Sequence, residues 1–243
     1  MTQKRLYSNN PIAEALLDVQ FDSNTALDQL KGFSKKLGSE FATINERHLV
    51  QTTFQLTEGK PIQAQNISIE GYDFWNNQKT EVIQARKNGF AFSRLKPYES
   101  WEKHYPEAVN YLKEYQKSFG ENPAKRVAVR FINLIKIPNT KVELNNYFNC
   151  APDTPKGIAS DLTSFLYRVV IACEPSINAN ITIAPSNQVA IGSTADFLLD
   201  IDVYATYPVP ISGDLSNVFD KLHGYAENIF EAYVTDLTRE LIK

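Results

Sequence analysis

From residue 214 to the end of the chain, apolar side chains return every three or four positions. Leu215, Val218, Phe219, Leu222, Tyr225, Ala226, Ile229, Phe230, Tyr233, Val234, Leu237 and Leu241 form one stripe. Asn217, Asp220, Glu227, Glu231, Asp236 and Glu240 lie on the other side. This is the period of one helix face. It predicts a C-terminal helix of about thirty residues, roughly 45 Å long at 1.5 Å per residue. The stripe is too wide and too aromatic for a two-stranded coiled-coil seam, and it suits a helix laid across a sheet.

Upstream, the period alternates between two and 3.6. Residues 11–21 read as a strand, with Ala13, Ala15, Leu17, Val19 and Phe21 on one face and Glu14, Leu16, Asp18 and Gln20 on the other. Residues 24–41 read as a helix through Leu27, Leu30, Phe33, Leu37 and Phe41. Strands are predicted over 48–56 and 62–75, broken at Gly59-Lys60-Pro61. Residues 80–86 and 90–95 read as a hairpin, because Asn88-Gly89 suits a turn with positive φ angles. A second helix is predicted over 100–119, with Trp101, Tyr105, Val109, Leu112, Tyr115 and Phe119 inward. The order then starts again: a strand over 125–137, a helical turn near 144–148, a surface loop over 149–156, strands over 164–172, 179–184 and 195–207, and the terminal helix. The expected fold class is α+β, with two pseudo-repeated halves (residues 1–124 and 125–243) of mainly antiparallel sheet forming one compact unit. The strands are expected to form two antiparallel sheets or one continuous curved sheet, with the helices on one face.

Composition adds limits. The 243 residues, 43% hydrophobic and 12% aromatic, fit a packed globular chain. No run reaches the roughly eighteen apolar residues that a membrane helix needs, so no membrane partner is expected. The first ten residues carry two basic side chains without an apolar segment behind them, unlike a secretory signal. Cys150 and Cys173 stand apart without C-x-x-C spacing, which fits a reducing cytoplasm. The net charge of −3 conceals an asymmetry. Residues 79–141 hold thirteen Lys and Arg against six Glu, and residues 142–243 hold five against thirteen Asp and Glu. Such a split suits either two solvated faces or a basic binding surface.

The sequence contains no familiar catalytic constellation. His48, His104 and His223 are far apart, none at metal-ligand spacing, so neither a metal nor another cofactor is expected. Phosphate-binding glycine loops and a G-x-S-x-G elbow are missing; Ile191-Gly192-Ser193-Thr194 reads as a turn. Two stretches stand out instead. In the first, Asn10 precedes a strand carrying Glu14 and Asp18. In the second, Arg130 and Asn133 interrupt an apolar strand that ends at Pro138. A guanidinium in a central strand needs a partner. Glu14 or Asp18 is the expected one, either as a structural pair joining the halves or as part of a polar patch that holds a ligand. Asp196, Asp200 and Asp202 also share one strand face.

Three segments carry a resemblance. They are the opening strand with Asn10, Pro11, Ile12, Glu14 and Ala15; the middle strand with Arg130, Phe131, Asn133, Ile135, Ile137 and Pro138; and the terminal stretch with Leu222, His223, Ile229, Phe230, Glu231, Thr235, Asp236, Arg239 and Glu240. In these the chain resembles a sporadically distributed bacterial family of similar length. The resemblance implies one full-length unit and brings no catalytic residues to carry over. The leading expectation is a cytoplasmic, non-enzymatic binding protein for a partner protein or small ligand, in an accessory or defence-type role. Asn10, Glu14, Asp18, Arg130 and Asn133 are its candidate binding residues. One alternative is nucleic-acid binding, with Lys87, Arg94, Lys96, Lys125, Arg126 and Arg130 interleaved with Phe90, Phe92, Tyr98 and Phe131. Another is an enzyme built on Glu14, Asp18 and Arg130, which requires a pocket holding all three. The abundant Tyr and Phe could also serve a homo-oligomer interface, although core packing uses the same residues.

Overall fold

A computed structural model of the chain describes residues 7–57, 60–138, 142–152, 164–186, 195–206 and 215–243. The predicted breaks at Gly59 and at Ile191–Thr194, and the end of the predicted loop from residue 153, lie outside the described residues. Nine strands appear in chain order: β1 (Ile12–Phe21), β2 (Thr43–Thr57), β3 (Lys60–Trp75), β4 (Glu81–Arg86), β5 (Gly89–Leu95), β6 (Ala124–Ile137), β7 (Tyr167–Glu174), β8 (Ile177–Pro185) and β9 (Ala195–Ala205). The helices are α1 (Leu27–Gly32), α2 (Ser34–Leu37), α3 (Trp101–Phe119), α4 (Ser216–Tyr233) and α5 (Asp236–Leu241). All nine strands join one sheet in the order β2-β3-β4-β5-β1-β6-β9-β8-β7. This corrects the expected α+β architecture of two sheet halves with a long terminal helix. The central β1–β6 pair joins the strands of both halves into one ladder, and among the described residues the longest helix has 19 residues.

Strand alternation fixes the two faces. β9 alternates without a break, with Ala195, Phe197, Leu199, Ile201, Val203 and Ala205 buried. Ala15, Leu17 and Val19 of β1 join Val127, Val129 and Ile135 of β6 in the same core. α3 and α4 pack over this apolar face. A polar anchor fixes α3: Arg94 of β5, 9% exposed, donates to Glu81 of β4 and to Glu107 of the helix.

The terminal helix breaks because another segment competes for its backbone. α4 has 18 residues and stops where Val234 turns extended, at φ −91° and ψ 142°. Val234 pairs with Phe148 as an isolated bridge. The Asn149 amide side chain donates to the carbonyls of Ala232 and Val234, at 2.8 and 3.2 Å. Thr235 then caps α5, accepting from the Thr238 N–H at 3.3 Å. The apolar stripe passes through the break, so periodicity alone did not reveal it. The predicted helix over 24–41 is likewise two short helices, α1 and α2, the second ending at Gly38 with φ +75°.

The β4–β5 hairpin forms as predicted, with Arg86 opposite Gly89, but neither Asn88 nor Gly89 takes a positive φ. Gly89 is required for space. A Cβ there would lie 2.7 Å from the Val19 carbonyl oxygen and 2.8 Å from the Arg86 guanidinium.

Candidate ligand-binding site

The five residues singled out from sequence fall on opposite faces of the sheet. Glu14, Asp18 and Arg130 lie on the face away from α3 and α4, where Asp18 and Arg130 are held in ion pairs. Arg86 of β4 reaches across β5 to Asp18, using the room left by Gly89. Asp18 also accepts from Arg126 at 3.1 Å, and Arg126 grips Asp202 of β9 at 2.7 and 2.6 Å. Asn180 of β8 completes the run on Asp202 at 3.2 Å. The expected partner of Arg130 is corrected. Its guanidinium is held by both oxygens of Asp200, at 2.8 and 2.6 Å, and this bond raises its pKa. Asp200 sits two residues along β9 from Asp202, the residue opposite Arg130, and so lies on the same face within reach of a long side chain. None of Glu14, Asp18 and Arg130 lines the cavity described below.

Asn10 and Asn133 do. Above the β1–β6 centre, between the N-terminal end of α3 and the middle of α4, lies a cavity of about 580 Å³. Asn133 lines it from the sheet, two residues from Phe131 and therefore on the same side of β6. It is 2% exposed, and its amide donates to the Leu199 carbonyl at 3.0 Å. A register shift between Ile12 and Glu14 marks the β1 side of the site, where the Asn10 side chain accepts from the Ile12 N–H at 3.0 Å.

The two helices meet at one wall. Trp101, in the first turn of α3, stacks on His223 of α4 with ring centroids 4.4 Å apart and planes 6° apart. Its indole N–H donates to Asp220 at 2.9 Å. Tyr7 and Phe230 meet edge to face at another wall, and the Tyr7 hydroxyl donates to Glu231 at 2.6 Å. The buried Tyr98 hydroxyl has no hydrogen-bond partner among the described residues. Burial raises its pKa, and the carboxylates of Glu102 and Glu227 add to the effect. Behind this wall, His104 is fully buried, packed against the rings of Phe92, Tyr98 and Trp101.

Sequence reading named Tyr98 only for stacking on bases and missed Trp101, Glu102, Glu227 and Phe230 as site residues. They come from two helices and a loop separated by more than a hundred positions, and only the packing of α3 beside α4 brings them together. Of the aromatic set considered for stacking on bases, Phe90 and Phe92 are fully buried and Phe131 is 7% exposed, whereas Tyr98 lines the cavity. Among the described residues, no group of His, Cys, Asp and Glu could hold a metal ion, and no helix is long and apolar enough to cross a membrane. Comparison with protein-family models and with curated proteins returns no match.

Proposed function

We propose that this protein is a non-enzymatic binding protein for a small molecule, held between α3 and α4. The cavity carries the reading. Its volume falls within the roughly 300–1,000 Å³ of small-ligand sites, and it has the same make-up, apolar walls with a few placed polar groups. Asn10 and Asn133 act in it as binding residues, whereas Asp18 and Arg130 hold the sheet together through their ion pairs. The proposed setting is the cytoplasm, where the free Cys150 and Cys173 stay reduced. Native mass spectrometry of the protein isolated from the organism that makes it, first intact and then denatured, tests the reading. A released small molecule is the expected result. A mass equal to the bare chain, together with no response of Trp101 fluorescence to any small-molecule probe, would overturn it.

A further inference from the structure

We infer that the ligand is a small organic cation, an amine or quaternary ammonium with an apolar body. This inference rests on the cavity being a ligand site. Four glutamates, Glu99, Glu102, Glu227 and Glu231, are among the residues that line the cavity, and no Lys or Arg is. Lys103 pairs with Glu99 and Arg239 with Glu231, so the charge that would repel an anion is chiefly that of Glu102 and Glu227. The partial positive charge at the start of α3 is already complemented by Glu102 in its first turn. Glu102 and Glu227 come from different helices and line the cavity together with the aromatic ring of Tyr98. A bare metal ion does not fit, since no three ligating side chains converge among the described residues. The rings of Tyr7, Tyr98, Phe131 and Phe230 line the same space. Aromatic walls beside carboxylates recognise ammonium groups through the ring quadrupole and through charge.

The experiment uses the full chain with Trp75→Phe, so that Trp101 is the single fluorescent indole, and titrates four probes. These are benzyltrimethylammonium, choline, the uncharged choline isostere 3,3-dimethylbutan-1-ol, and benzoate. Both cations are expected to bind, choline at least tenfold more tightly than its neutral isostere, with benzoate showing no binding. In a Glu102→Gln/Glu227→Gln double variant, cation affinity should fall about tenfold or more while the neutral probe is unchanged. Circular dichroism of the variant confirms that it folds. Equal binding of choline and its isostere, or preference for benzoate, overturns the cation and leaves the small-molecule site standing. Silence from all four probes, with a retained neutral molecule in the native mass spectrum, does the same. Silence from all four with nothing retained removes the site itself.

Discussion

At the scale of single residues, Asp18, Arg126 and Arg130 are held in charge pairs across the sheet, and His104 is buried among aromatic rings. Burial lowers its pKa from 6.5 to about 3, with Arg94 and His223 adding to the effect. Between those values the unfolded chain binds a proton that the folded chain refuses. The contribution to stability is therefore complete above pH 6.5 and is lost as the pH falls toward 3, by up to about 1.4 kcal/mol per pH unit. Urea denaturation across this range should show a shallower acid loss for His104→Phe than for the parent chain; equal slopes would refute the assignment. Gly89→Ala is expected to cost about 1–3 kcal/mol, because the new methyl group meets the Val19 carbonyl and displaces Arg86 from Asp18. The division of the candidate site was legible and was missed. Arg130 and Asn133 are three apart on one strand, so they must point to opposite faces. Asn133 shares its parity with Phe131 and Ile135, and Arg130 shares its parity with Arg126. The identity of Arg130's partner was not legible, since it depends on β9 lying beside β6 with a particular register.

At the scale of elements, hydrophobic period placed the described strands in chain order, because burial on one face is what that period records, but it merged α1 with α2 and α4 with α5. It did not reveal interruptions whose cause lies elsewhere in the chain. The break after Tyr233 comes from the segment around Tyr147–Asn149, which hydrogen-bonds to the backbone of residues 232–235. Thr235 secures the restart by capping α5 and by donating to the Asn146 carbonyl at 2.6 Å. Thr235→Ala should therefore cost about 1–2 kcal/mol, the upper part of the range for a lost cap. Thr235→Ser keeps the hydroxyl and should recover most of it. Equal losses in the two variants, measured by urea denaturation, would place the role in the methyl group instead.

At the scale of the whole molecule, the central strands serve both faces. On one face, Asp18 lies between Arg86 and Arg126 and ties β4, β1, β6 and β9 into a single run of charge pairs. On the other, β1, β6 and β9 contribute Ile12, Phe131, Asn133 and Ile201 to the cavity, which α3 and α4 enclose. The two faces should be separable by mutation. Asp18→Ala leaves two partly buried guanidiniums without this carboxylate and should destabilise by about 3–5 kcal/mol. It should not change the affinity of any cavity ligand, because Asp18 is not part of the lining. Ala226 of α4 gives the reverse test. It is 2% exposed and lines the cavity, so Ala226→Leu extends a side chain into space the ligand would use. A ligand at a hundred times its Kd stabilises the parent chain by about 2.7 kcal/mol. At roughly 2–4 °C per kcal/mol for a chain of this size, that is a Tm rise of about 5–11 °C. In Ala226→Leu the ligand-free Tm should stay near the parent's and the ligand-induced rise should vanish. In Asp18→Ala the ligand-free Tm should drop and the rise should persist. A rise lost in Asp18→Ala as well would mean that the two faces are coupled through β1 and β6, and that the charge run sets the shape of the cavity rather than only holding the sheet.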